Sequence, residues 1–197
     1  KDECLKIKQI ETSINHDVKA VEIYIGNKFR ESGHFHKNLI HFGLTSQDIN
    51  NVSISLCIKD YLNNLYFNNI DSILDLINRK SEIWKDTIMI SKTHGQPAVP
   101  TTMGKEFKVF FYRLEKELLN LKKLQVYSKF GGAVGNLNAH YLAYPNINWE
   151  NFADTFLDSY YLKRNKYTTQ IDNYESLSII FDNIKRINTI LVDMCRD

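Results

Sequence analysis

An all-α fold, an elongated bundle of long helices, is predicted by three features of the sequence. Apolar residues recur in steps of three and four over most of its 197 positions. Polar, cap-like clusters break that rhythm at only a few places. No alternating run of apolar and polar residues of any length marks a strand.

The elements follow in order. Ile7, Ile10, Ile14, Val18, Val21, Ile25 and Phe29 share one helical face, and the polar stretch Thr12–Asp17 predicts that the helix restarts near Asn15. The segment 31–42 holds His34, His36 and His41 in a loop or short helix. Thr45 with Asp48 reads as a capping box. Behind it Ile49, Val52, Leu56, Leu62, Leu65, Ile70, Ile73, Leu76, Ile77 and Ile83 continue one stripe. Such a stripe implies roughly 40 helical residues, about 60 Å at 1.5 Å per residue. The asparagines at 63, 64, 68 and 69 weaken helix propensity there.

A turn at Thr93–Gln96, punctuated by Gly95, Pro97 and Pro100, precedes a second long helix after Thr102. Its stripe is Phe107, Phe110, Phe111, Leu114, Leu118, Leu121 and Leu124, with the charges between forming a solvated face. Gly131, Gly132 and Gly135 mark an irregular loop that ends at Tyr144-Pro145. Asn148 caps a short helix over residues 149–160, and residues 163–171 form a polar connector. Asp172 with Glu175 reads as a third cap, ahead of a last stripe of Leu177, Ile180, Phe181, Ile184, Ile187, Leu191 and Met194.

Composition narrows the function classes. The 25 basic and 23 acidic residues nearly cancel, to a net charge of +2. A dedicated nucleic-acid binder would show a basic excess, so no nucleic-acid partner is expected. No apolar run reaches the roughly 18 residues that a membrane span needs. No cationic start followed by an apolar stretch indicates a secretory signal. Cys4, Cys57 and Cys195 are odd in number, far apart and set in apolar helical patterns, as free cysteines that act as small hydrophobes. A reducing, cytoplasmic compartment is the natural expectation. The chain opens without methionine inside one helical pattern and stops just after another, and no linker divides it. Residues 1–197 are therefore expected to be one helical-bundle part of a longer polypeptide.

Four polar clusters sit at helix ends: Asn15-His16-Asp17, Thr45-Ser46-Gln47-Asp48, Thr93-His94-Gly95-Gln96 and Thr168-Thr169-Gln170. Singly, each is explained as a cap. Together, on helices that pack side by side, they suggest one shared polar site, since helix N-termini attract carboxylates and phosphates. His94 stands out, because histidine can give or take a proton near neutral pH. The histidines lack metal-ligand spacing, and no nucleotide fingerprint or nucleophile elbow is present. His140 closes the glycine loop, whereas His34, His36 and His41 read as surface or cap residues.

In sequence order, Asn15-His16-Asp17-Val18-Lys19-Ala20-Val21-Glu22, Thr45-Ser46-Gln47-Asp48-Ile49-Asn50-Asn51 and Thr93-His94-Gly95-Gln96-Pro97-Ala98 resemble the adenylosuccinate lyases of the fumarase/aspartase superfamily. So do Pro100-Thr101-Thr102, Gly104-Lys105-Glu106, Gly132-Ala133-Val134-Gly135-Asn136, Asn138-Ala139-His140 and Tyr167-Thr168-Thr169-Gln170-Ile171. The Gly-Gln pair after His94 separates this pattern from relatives that carry Leu-Gln there.

The resemblance implies a helical homotetramer around a shared bundle, with each active site assembled from several subunits and no metal or organic cofactor. It implies elimination of fumarate from adenylosuccinate, leaving AMP, and the same cleavage of a succinyl-carboxamide ribotide. Carried over residue by residue, it makes His94 the general acid. Asn15, His16 and Asp17 become a nucleotide-placing cluster, Thr45 and Ser46 carboxylate-holding residues, and Gln170 a substrate contact.

Some of the pattern departs. The family's basic serine lies in a Ser-Ser-x-x-Pro-x-Lys-x-Asn loop that the sequence does not contain, and Ser46 or Ser91 cannot replace it merely by being serines. An early Arg-Tyr nucleotide segment is also missing, so the isolated chain is expected to be inactive. Gln47 stands where glutamate is common, a neutral change expected to be tolerated. Two other readings stay open: a non-catalytic helical scaffold on the same fold, and a sister lyase with a different succinyl-type substrate.

Overall fold

The computed structural model describes residues 1–33 and 39–197, so His34 and His36 lie outside the described residues. The chain forms two compact units, Lys1–Cys57 with Val126–Tyr174 and Ile58–Gln125 with Glu175–Asp197.

In the first unit, α1 (Asp2–Ile14) and α2 (Asp17–Glu31) pack on each other. The expected restart is there: Asn15 adopts φ 55° and ends α1, and His16 then caps α2. Val18 and Ala20 are buried, while Ile14, Ile25 and Phe29 of the expected stripe stay exposed. α3 (Ser46–Tyr61) begins in this unit at the anticipated capping box, with Asp48 Oδ2 accepting from the Thr45 N–H at 2.8 Å. α6 (Asn138–Ala143) and α7 (Trp149–Ser159) follow the glycine loop, and the Asn148 side chain caps α7 through the Asn151 N–H. Phe42, Phe130, His140, Trp149, Phe152 and Phe156 form an aromatic cluster, with Phe130, His140 and Trp149 buried in it.

The second unit continues the long helix. A π-helical turn at Leu62–Tyr66 joins α3 to α4 (Phe67–Ile83), so the expected helix of about 40 residues exists but carries one widened turn. That turn spans Asn63 and Asn64, where propensity was weakest. α4 packs on α5 (Met103–Lys122), and α5 packs on α8 (Glu175–Arg196). Leu114, Leu118 and Leu121 of α5, Ile70, Leu74 and Ile77 of α4 and Ile180, Ile187 and Ile190 of α8 are among the buried apolar residues of these helices. Within the α8 stripe the expected Phe181 is exposed, and Ile190, which the expected stripe left out, is buried. Leu65, Leu76 and Ile83 are likewise exposed rather than buried.

One expectation is corrected outright. Residues 88–102 are an antiparallel hairpin, β1 (Ile88–Thr93) with β2 (Gln96–Thr102), not the end of a helix and a bare turn. Neither strand buries a face, so neither shows the alternation that would reveal it. A bulge separates Ile90 from Lys92, and there the Ser91 hydroxyl donates to the Val99 carbonyl and accepts from its N–H. A second, minimal pairing joins β3 (Tyr127–Ser128) in parallel to β4 (Lys163–Arg164) inside the expected connector.

Two smaller corrections follow. Asp172 does not cap α8: its oxygens accept from Asn165 and from the Tyr174 N–H in the preceding loop, and the helix starts at Glu175. All three cysteines are exposed, so none packs as a small hydrophobe.

Candidate active site

The first unit gathers three of the four polar clusters' elements around the start of α3. Asp48, on the first turn of that helix, is wholly buried. Its Oδ1 accepts from Lys129 Nζ at 2.6 Å and from the Gly131 N–H at 2.9 Å. Its Oδ2 accepts from Thr45 and from the Gly132 N–H at 3.1 Å. Lys129, also wholly buried, donates again to the Gly132 carbonyl at 2.8 Å. One turn along α3, Asn51 accepts from the Lys129 N–H at 2.7 Å and donates to the Lys129 carbonyl at 3.0 Å. The glycine loop is thereby fastened to the first turns of α3 through Asp48 and Asn51, and Thr45 and Ser46 at that helix end are half-buried.

The loop needs its glycines at two of these contacts. Gly132 has φ +75° and Gly135 φ +79°, and a Cβ on Gly135 would lie 2.1 Å from the Thr168 carbonyl oxygen. That approach brings the Thr168-Thr169-Gln170 segment against the loop, with Gln170 itself exposed. His140 closes the same corner. Its ring stacks 4.8 Å from Trp149 and edge-on to Phe42, above Gly43, where any Cβ would strike it at 2.6 Å.

The Asn15-His16-Asp17 cluster reaches this region through Asp17 Oδ2, which accepts from Asn50 of α3 at 3.4 Å. Asp17 Oδ1 takes the Val18 N–H at 2.7 Å, which chiefly holds this carboxyl below its ordinary range and favours its ionised, hydrogen-bond-accepting form. His16 Nδ1 accepts from the Lys19 N–H at 3.2 Å. That bond leaves Nε2 as the nitrogen available to donate to a ligand.

His94 belongs to the second unit. It and Gly95 are the two central residues of the hairpin turn, with φ 53° and 74°, as a type I′ turn requires. A histidine at positive φ is uncommon, and here the paired strands impose it. The side chain stands exposed on a rigid mount. Behind the hairpin, Thr102 caps α5 through the Lys105 N–H. Glu106 accepts from Lys105 and Thr101, and the Lys105 bond is the main reason its carboxyl sits below the ordinary range.

The sequence reading missed the buried Lys129 and Asn51, and took Asp48 only as a cap. The available signal was a lone lysine in the stretch Val126–Gly132, just ahead of Phe130 and two glycines. Among the described residues, no three His, Cys, Asp or Glu side chains gather as a metal site would need. No described helix is long and apolar enough to cross a membrane.

A sequence family described as lyase matches residues 1–197. The chain belongs to the lyase family. It is 46% identical to the adenylosuccinate lyase of Dictyostelium discoideum over 98% of its own length and 43% of that protein's. Against the adenylosuccinate lyase of Escherichia coli K12 it is 39% identical, over 100% of its length and 43% of the other's. The lyase-family chain thus spans under half of these curated relatives. Its fold is that of the fumarate lyase from Mesorhizobium sp. BNC1, with TM-score 0.78 at 17% identity over 98% of this chain and 44% of that one. A 3-carboxy-cis,cis-muconate lactonizing enzyme from Pseudomonas putida gives TM-score 0.77 at 20% identity, over 97% and 42%.

Proposed function

We propose that the full-length protein is an adenylosuccinate lyase. It eliminates fumarate from adenylosuccinate to leave AMP, and cleaves the succinyl-carboxamide ribotide in the same way. The observation that carries this is the 46% identity to the Dictyostelium enzyme over 98% of the chain, together with the four polar clusters of the resemblance, which depart from its pattern at Gln47.

The elimination breaks the bond between carbon and nitrogen without adding or removing other atoms. A base takes the proton from the carbon beside a carboxylate, the electron pair forms the fumarate double bond, and an acid protonates the departing nitrogen. His94 fills the acid's part, an exposed imidazole on a rigid turn. The carbanion-side carboxylate lies at the start of α3 against Thr45 and Ser46, where the helix end favours an anion. His16 donates and Asp17 accepts toward the nucleotide, with Asn15 at the hinge before them, and Gln170 supplies an amide contact. The base is the serine of the family loop, supplied by residues outside this sequence.

The same reading makes residues 1–197 the central part of a cytoplasmic homotetramer whose sites are shared between subunits, working without metal or organic cofactor. The test is to incubate the full-length protein with adenylosuccinate and quantify both products. Fumarate and AMP released one for one, with AMP competing against substrate, are the expected result. Absence of fumarate would support the scaffold reading. Turnover of another succinyl compound without competition by AMP would support the sister lyase.

A further inference from the structure

We infer that Lys129 is a positioning residue: its buried ammonium cancels the Asp48 carboxylate and ties down Gly132, so that the start of α3 can receive a substrate carboxylate. This rests on the proposed role of Thr45 and Ser46.

A helix N-terminus offers an anion roughly half an elementary positive charge. Asp48 sits on the first turn of α3, three residues after Thr45, and brings a full negative charge to that end. Left alone it would outweigh the helix and repel a second carboxylate. The Lys129 ammonium, 2.6 Å away and equally buried, removes that opposition where no solvent can screen it. Its second bond, to the Gly132 carbonyl, holds the glycine loop against the first turn of α3 while Gly131 and Gly132 donate to Asp48.

Stability alone does not call for this arrangement. Two wholly buried charges pay a desolvation cost, and apolar residues of similar volume often hold a fold as well or better. What apolar residues cannot do is keep a carboxylate-based fastening of two loops while leaving the helix end electrically open to an anion. Lys129 touches no reacting atom; it acts through Asp48 and the loop.

The test compares fumarate and AMP dissociation constants, and kcat against KM, in the full-length protein with and without K129M. The inference predicts fumarate binding weakened about tenfold, equivalent to about 1.4 kcal/mol, with AMP binding changed far less and KM rising more than kcat falls. K129R, which keeps the charge, should bind fumarate close to the unaltered protein even if it melts earlier. Unchanged fumarate binding in K129M, equal weakening of both ligands, or a K129R as impaired as K129M would overturn the inference. If K129M does not fold, K129Q, which keeps a donor toward Asp48 but no charge, is measured against the same criteria. Failure of the unaltered protein to bind fumarate would instead count against the proposed function.

Discussion

His140 is 2% exposed, wedged between Trp149, Phe42 and Phe130, and its Nδ1 meets no partner among the described residues. Burial pushes its pKa below the ordinary 6.5; a hydrogen bond to the Phe42 backbone and the charge of Asp48 push the other way and lose. The depressed pKa favours the neutral ring in the folded state. Because the folded pKa is depressed, the stabilisation is fully present above about 6.5 and is lost as pH falls, since the unfolded chain binds the proton first. Melting temperature should fall more steeply between pH 7 and 5 in the native sequence than in a His140→Phe variant. Equal slopes would show that His140 does not titrate against folding. Glycine spacing made the loop before His140 legible in the sequence, but its aromatic cage was not, because Phe42 lies far from it along the chain.

Among the elements, the hairpin and the α4–α5 pair depend on one close approach. The Gly104 N–H donates to the Trp84 carbonyl at 2.9 Å, and a Cβ on Gly104 would lie 2.2 Å from the Ser81 carbonyl oxygen. Both partners there are backbone, so nothing flexible can yield. Gly104→Ala should cost about 2–4 kcal/mol by forcing the helices apart, as overpacked cores do. Thermal denaturation of the full-length variant checks it, and a melting point within a degree of the parent would contradict it.

Long helices were readable because their stripes repeat many times: Leu114, Leu118 and Leu121 are buried as expected. The hairpin was not, since exposed strands carry no alternation and Pro97 and Pro100 argued against a ladder. The pairing of Asp48 with Lys129 escaped for a different reason. It spans 81 positions, and neither residue type is expected to be wholly buried.

For the whole molecule, the exposed apolar residues bear on assembly. Leu65, Leu76 and Ile83 on the long helix and Phe181 and Val192 on α8 remain half or more exposed, or nearly so, in the single chain. Phe181, Ile184 and Val192 line an open groove of about 400 Å³ on α8. Helix stripes of this kind gain stability only against partners. The full-length protein should therefore sediment as an oligomer, with four copies as the proposed state. A monomer across the micromolar range would remove the shared-bundle account.

The claim on which the functional account turns is that the hairpin histidine protonates the departing nitrogen. It is tested most directly by kcat for adenylosuccinate cleavage in full-length His94→Gln, which keeps a polar side chain on the same turn. Loss of a general acid should lower kcat by about 10²–10⁴-fold while AMP affinity holds. A kcat within threefold of the unaltered protein would contradict the assignment of His94 and, with it, the division of the catalytic pair.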